Sequence, residues 1–448
     1  MPNQSFDTII IGSGTSAYYA ADGLVTAGRR IAMIDDRPWG GTCALRGCQP
    51  KKYLVAHAEA IAMASHLVGR GIVASPESDW SALQALKNEF LDGIPERSVS
   101  NWEERGVSTF HERARLTGPN EVTAGSDVLS ADHIVLATGA TPRRAEIPGR
   151  EHIHISDDFL SLPAMPKRIG FIGGGYISLE FAHVALRSGA EEVTVLHRSA
   201  RPLKGFDSDM VDVVIEASRA EGMNIILEES PVSVEEEEGT LRIQGSSGAT
   251  YDADFIVEAT GRTPNLSVLD GDAGKVEATP RGIVVNEFLQ SVSNPAVYAI
   301  GDCTASGAML APVADEEGKT AATNIIEGNT KPVDYSVVPS AVFTIPNLAS
   351  VGLTEESARE KGLDVRVNRG TTTGWPSSKR IGEKHAGYKI LIDKETGLIV
   401  GAHLVRHNAS EVINAFALAI KYGIPAGELE HFLWAYPTMT SDLKNMVG

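Results

Sequence analysis

The chain has 448 residues, which at roughly 100–200 residues per domain predicts about three domains. Its 58 acidic against 40 basic residues leave a formal net charge of −18 with no offsetting Lys/Arg cluster, which argues against a nucleic-acid partner. Hydrophobic residues make up 42%, enough for substantial cores. No apolar run approaches a membrane span of roughly 18 residues, and no leader-like segment precedes the first strand pattern, so the chain reads as cytoplasmic.

The first motif is Ile9-Ile10-Ile11-Gly12-Ser13-Gly14-Thr15-Ser16-Ala17, a buried-strand pattern running into Gly-x-Gly-x-x-Ala. A helical stretch stopped by Gly28 follows, then a second apolar strand, Ile31 to Ile34, ending in Asp35. Strand, glycine turn, helix, strand and acid form a dinucleotide-binding fingerprint. The glycines let the backbone approach a pyrophosphate, the helix start stabilises it, and Asp35 can accept hydrogen bonds from a ribose. The pattern recurs as Arg168 to Ile172, Gly173-Gly-Gly175-Tyr176, then Glu192 to Leu196. Here the acid position is His197, followed by Arg198 and, further on, Lys204. Cations at that place would pair with the 2′-phosphate of NADPH, whereas a carboxylate would repel it. The alternative is that Arg198 and Lys204 are only solvated surface.

Two apolar strands end in small-residue turns, one at Thr138-Gly139 and one at Thr260-Gly261-Arg262. A third strand, Val297 to Ile300, ends in Gly301-Asp302, and Ala311-Pro312 fits the first turn of a helix. Beyond about residue 336 alternating strands (388–392, 398–402) and an Ala-rich helix (411–422) predict an α+β domain without a nucleotide signature. The acidic stretch 228–238 reads as a solvated hairpin edge.

The most informative segment is Gly40-Gly41-Thr42-Cys43-Ala-Leu-Arg-Gly-Cys48-Gln-Pro-Lys51. Two cysteines five positions apart near a helix start can close a small disulfide ring. The helix start and Lys51 would both lower a thiolate's pKa. The spacing is not that of a zinc knuckle, so no metal site is expected. The plainer reading is two buried thiols packing as small hydrophobes. Three cysteines cannot build a secreted framework, so a disulfide here would be catalytic, and Cys303 is expected to be packed and inert.

Taken together, Gly-Gly-Thr-Cys-x4-Cys-x-Pro-Lys, the two fingerprints, both Ala-Thr-Gly turns and Tyr298-Ala-Ile-Gly301-Asp302 resemble the flavoprotein disulfide reductases. That family includes glutathione reductase, lipoamide dehydrogenase and mercuric reductase. The resemblance implies two Rossmann-like dinucleotide-binding domains, for FAD and NADPH, plus a C-terminal α+β dimerisation domain. The expected boundaries are 1–150 and 268–335 for FAD, 151–267 for NADPH and 336–448 for dimerisation. It implies that Cys43 is the interchange thiol and Cys48 the thiol beside the flavin. It further implies a Lys51–Glu180 pair near the flavin, Tyr176 as a gate over it, and Asp302 on the ribityl chain. Ala311 would open a helix aimed at the flavin pyrimidine. By the same resemblance Gly12, Gly14, Ala17, Asp35, Gly41, Thr42, Ala114, Thr138, Gly139, Gly261 and Arg262 belong to cofactor binding. Gly173, Gly175, Tyr176, His197, Arg198 and Lys204 complete that set.

The chain departs from the family at its C-terminal motif. The partner-donated His-Pro-x-x-x-Glu dyad is replaced by Tyr436-Pro-Thr-Met-Thr-Ser441, closer to mercuric reductase, yet no cysteine follows Cys303. Tyr436 is then an acid, a metal-site residue or a packed interface aromatic. Where glutathione reductases place an arginine on the first helix, this chain has Asp22. The leading expectation is a homodimeric NADPH-dependent reductase of a small disulfide or related thiol-reactive acceptor. Alternatives are a soft-metal or quinone reductase and a lipoamide-dehydrogenase-like subunit. The cations at 197–198 disfavour the last.

Overall fold

The computed structural model describes residues 4–269 and 271–448. The chain folds into two compact units, one built from the chain through Lys51 with Lys87–Arg143 and Arg262–Tyr335, the other from Lys52–Leu86, Arg144–Gly261 and Ser336–Gly448.

In the first unit β1 (Gln4–Ile11) runs parallel to β2 (Ile31–Ile34) on one side and to strand Asp127–Leu136 on the other. Ile9, Ile10 and Met33 are buried on both faces, as all-parallel central strands require. Between β1 and β2 runs α1 (Thr15–Thr26), which buries Ala17, Ala20, Ala21 and Leu24 and ends before Gly28. Val297–Ala299 adds a further parallel strand beside Asp127–Leu136, so the Gly301-Asp302 turn emerges beside the Thr138-Gly139 turn. Helix Ala311–Glu327 starts with proline in its first turn and packs on α1.

The second unit repeats the arrangement. Strand Arg168–Ile172 lies between Glu192–His197 and Phe255–Glu258, all parallel. The two glycine turns share one geometric need. Gly12 has φ of 118° and a Cβ there would sit 2.2 Å from the Ala137 carbonyl oxygen; Gly173, at 115°, would meet Ala259 O at 2.4 Å. The acidic stretch 228–238 contributes strand Pro231–Glu237 to an antiparallel hairpin, but it is not solvated throughout: Glu229 within it is buried and accepts bonds from Ser246, Ser247 and Tyr251. The C-terminal part is a five-stranded antiparallel sheet backed by helix Ala409–Lys421, which buries Val412, Ile413 and Phe416 in a core shared with Ile390. Among the described residues no helix is long and apolar enough to cross a membrane.

Candidate redox and dinucleotide sites

A short helix, α2 (Gly41–Leu45), carries Cys43, and α3 (Cys48–His66) begins at the second cysteine. Gly41 allows this arrangement, since a Cβ on it would lie 2.4 Å from Gly14 Cα; the cysteine segment is therefore laid directly on the Gly12–Gly14 turn. Both cysteines are free thiols, Cys48 exposed and Cys43 half-buried, and their side chains are hydrogen-bonded to each other. That bond is the main reason the Cys43 thiol is pushed up from its ordinary value. Burial and the nearby Asp315 add to the effect, and Lys51 opposes it. The lowered pKa expected of a thiolate at this helix start is thus reversed at Cys43. Cys303 is fully buried, donates to Leu136 O and Ile300 O at 3.3 Å, and is raised to about 11 by burial, as its expected inertness requires.

Asp35, the acid expected to meet a ribose, is anchored by its neighbours. Asp35 Oδ2 accepts from Ser13 N at 2.8 Å and Ser13 Oγ at 2.6 Å, while Oδ1 accepts from Arg37 N at 3.0 Å. Thr138 donates to Asn265 O at 2.7 Å, and strand Ala140–Pro142 pairs antiparallel with Arg262–Pro264, so the Thr138-Gly139 turn and Arg262 meet. Arg262 donates to Ala140 O, leaves its buried Nε without a partner and faces Asp302. Burial raises Asp302, with Arg262 opposing. Glycines at the pyrophosphate turn, an anchored acid and an orphaned buried Nε beside the ribityl-type turn fit a bound FAD. Ala17 is buried in α1, and Ala114 opens strand Ala114–Gly118 of the same unit.

Several members of this first site carry no local signal. Asp315, one turn into the Ala311–Glu327 helix, accepts a short hydrogen bond from Thr15 and faces Cys43. Glu317 is buried, accepts from Gly301 N at 2.5 Å and Tyr335 Oη at 2.6 Å, and burial raises it to about 7.

In the second unit Tyr176 opens helix Tyr176–Arg187 and is exposed. Glu180, only 2% exposed, accepts from Phe343 N at 2.8 Å. His197 is half-buried and bonded to Arg201 O at 3.1 Å; burial lowers its pKa, Arg201 opposes and Arg198 adds to the lowering. The imidazole is therefore not one of the expected cations. Arg198 and Lys204 are exposed and, among the described residues, make no ion pair, whereas Arg201 is tied to Asp212 at 3.1 Å. Tyr436 is 76% exposed. Ser441 is buried in a turn, donating to Thr438 O at 2.6 Å, so it is no dyad partner. Asp22 pairs with Arg105 at 2.8 Å. Among the described residues no His/Cys/Asp/Glu group is placed to hold a metal ion.

A chain with two nucleotide folds, a cysteine pair on the first and an antiparallel C-terminal domain defines a flavin- and pyridine-nucleotide-dependent oxidoreductase. Residues 6–318 match the pyridine nucleotide-disulphide oxidoreductase family and residues 338–447 its dimerisation domain. The chain belongs to this family of flavoprotein disulfide reductases, and its cofactors are FAD and NADPH. It is 32% identical to a glutathione reductase of Burkholderia cepacia over 446 residues, covering 99% of this chain and 98% of that one. It is 33% identical to a mercuric reductase of Lysinibacillus sphaericus over 448 residues, 98% of this chain and 82% of that one. Among solved structures it is similar to the Cu(II) complex of the HOCl-induced flavoprotein disulfide reductase RclA from Escherichia coli, with a TM-score of 0.89, 25% identity and coverage of 98% and 99%.

Proposed function

We propose that the chain is an NADPH-dependent reductase in which Cys43 and Cys48 form the redox-active disulfide and that its acceptor is a small disulfide or another thiol-reactive species. The observation that carries this reading is the contact between the two cysteine side chains at the start of α3, facing Lys51. Bound FAD supplies the relay of two electrons from NADPH to this pair. Two electrons and two protons open the disulfide to two thiols. Cys43, once deprotonated, attacks a sulfur of the acceptor, forming a mixed disulfide and releasing one thiol. Cys48 then attacks the Cys43 sulfur, which releases the second thiol and restores the ring.

On this reading residues 1–150 and 268–335 hold FAD and 151–267 hold NADPH, while 336–448 join two copies in a homodimer. Asp35 and Asp302 orient the flavin nucleotide, Lys51 and Glu180 act near its ring, Tyr176 covers it, and Arg198 and Lys204 hold the 2′-phosphate. The chain is placed in a reducing cytoplasm, since three cysteines cannot build a secreted disulfide framework. With tyrosine in place of histidine at 436, proton transfer at Cys43 is expected to slow disulfide reduction.

A second reading, reduction of a soft metal ion, is favoured by Tyr436 and by the Cu(II) complex of a similar reductase. A metal acceptor has no thiolate leaving group to protonate, so the missing histidine costs it less. Steady-state NADPH oxidation with low-molecular-weight disulfides, quinones, Hg(II) and Cu(II) separates the two. Fast turnover confined to the metal ions refutes the disulfide reading, and protein purified without FAD refutes both.

A further inference from the structure

The stretch that leads from His197 to the next helix carries Arg198 and Lys204, and three contacts fix its course. His197 bonds Arg201 O at 3.1 Å, Leu203 N donates to Gly174 O at 2.9 Å, and Arg201 clasps Asp212. Leu203 is held at φ of 51°, a backbone region that a leucine occupies only where its surroundings hold it there. The stretch leaves at Asp207, which is buried. Its Oδ1 accepts from Asp209 N at 3.1 Å and Met210 N at 3.4 Å, capping helix Ser208–Ala220, and its Oδ2 is 3.0 Å from Lys389 Nζ.

Lys389 lies on strand Gly387–Asp393 of the C-terminal sheet, and its side chain is 3% exposed. The ammonium also meets Asp209 at 2.7 Å and Glu355 at 3.2 Å. One buried cation thus faces three carboxylates, two of them at the exit of the coenzyme stretch. A lysine tolerates such burial only when fully paired, so the cluster defines the position of Asp207 sharply.

We propose that Lys389 is a positioning residue for coenzyme selection: from the C-terminal sheet it holds Asp207, and through it the 197–206 stretch, so that Arg198 and Lys204 meet the 2′-phosphate of NADPH. The inference rests on the reading that these two cations bind that phosphate. Without Lys389, a buried Asp207 keeps only its helix-capping bonds and the end of the stretch slackens. Contacts to a 2′-phosphate weaken, while contacts to the rest of the nucleotide, made at the Gly173–Gly175 turn, persist.

The test is calorimetric binding of 2′,5′-ADP and 5′-AMP to the FAD-loaded protein, with KM and kcat for NADPH and NADH alongside. Arg198→Ala with Lys204→Ala serves as the reference. Lys389→Met is expected to weaken 2′,5′-ADP by about tenfold, a fraction of what losing charge-assisted bonds outright removes, and to leave 5′-AMP within about twofold. KM for NADPH rises in step, with kcat at saturation and both NADH constants unchanged. Asp207→Asn, which still caps the helix, is expected to give the same pattern and decides the matter if Lys389→Met does not fold. Glu355→Gln, on the far side of the lysine, is expected to leave selectivity unchanged. If the reference variant retains full preference for 2′,5′-ADP, the phosphate reading fails and the inference falls with it. If the reference loses that preference but Asp207→Asn keeps it, or weakens both ligands equally, the phosphate reading stands and the role of Lys389 is refuted.

Discussion

Cys43 and Cys48 differ in exposure and in their place on the helices, and the division of labour proposed for them follows from that asymmetry. The exposed Cys48 heads α3, where the helix start favours a thiolate, whereas Cys43 is raised by its hydrogen bond to Cys48 and by burial. NADPH titration is therefore expected to produce a long-wavelength absorption band from a thiolate at Cys48 beside oxidised flavin. Cys48→Ser abolishes that band and Cys43→Ser retains it; the opposite pattern in a spectrophotometric titration exchanges the two roles. At position 436 the phenol is exposed and free to be replaced, but Ser441 is buried in a turn closed by its bonds to Thr438. Tyr436→His alone should raise disulfide turnover, toward the roughly 10²–10⁴-fold that a positioned acid–base group supplies. Adding Ser441→Glu buries a carboxylate and breaks the turn, at a cost of about 1–3 kcal/mol, so the double variant is expected to melt lower than the single one. Stopped-flow reoxidation and a thermal melt measure the two effects.

The helix Ala311–Glu327 joins several jobs. Its proline opens it, Asp315 bonds Thr15 of α1, and Glu317 ties Gly301 to Tyr335. Burial lifts Glu317 from 4.5 to about 7, which sets the sign of its pH dependence. Below pH 4.5 both folded and unfolded states hold the proton and Glu317 contributes nothing. Between 4.5 and 7 only the unfolded state releases it, so stability falls as pH rises, by on the order of 3 kcal/mol in total, and above 7 the loss is constant. Glu317→Gln keeps an acceptor for Gly301 N and is expected to flatten the denaturation midpoint between pH 5 and 7. An unchanged slope would show that the carboxyl is ionised throughout. On the other nucleotide fold, neutralising Arg198 and Lys204 together should cost on the order of 2–4 kcal/mol of preference for NADPH over NADH, by analogy with charge-assisted hydrogen bonds. Comparison of kcat/KM for the two coenzymes measures it, and a wild-type protein indifferent to them contradicts the assignment.

At the scale of the whole molecule, the C-terminal domain leaves Phe432, Leu433 and Tyr436 exposed, Leu433 at 94%. Apolar side chains gathered in this way on a dimerisation domain fit a covering by a second copy of the chain. Leu433→Asp with Phe432→Asp is expected to convert a dimer to monomer in sedimentation velocity. Such a monomer should still be reduced by NADPH, because that step needs only one chain's nucleotide folds and cysteines, but its turnover with acceptor should collapse. A wild-type monomer with full turnover sinks the proposal that the chain works as a homodimer.

Both βαβ units were legible in the sequence because each is a local object. Gly12 and Gly173 answer to close backbone approaches, the apolar strands to burial on two faces, and Pro312 to the first turn of a helix. The Cys43–Cys48 spacing was legible for the same reason, since a ring of that size closes within a few residues. Asp315 meets Thr15 across 300 positions, and Lys389 meets Asp207 across 182. No window of sequence contains either pair. The hydrogen bond to Cys48, with burial adding to it, reversed the expected pKa at Cys43, and burial removed His197 from the cations. Residue type, order and short-range spacing determined the family of folds, the cofactors and the cysteine pair proposed as redox-active in this protein. Which carboxylates are buried and which cations stay free were decided only by tertiary packing, because desolvation and charge pairing depend on neighbours that the chain brings together from far apart.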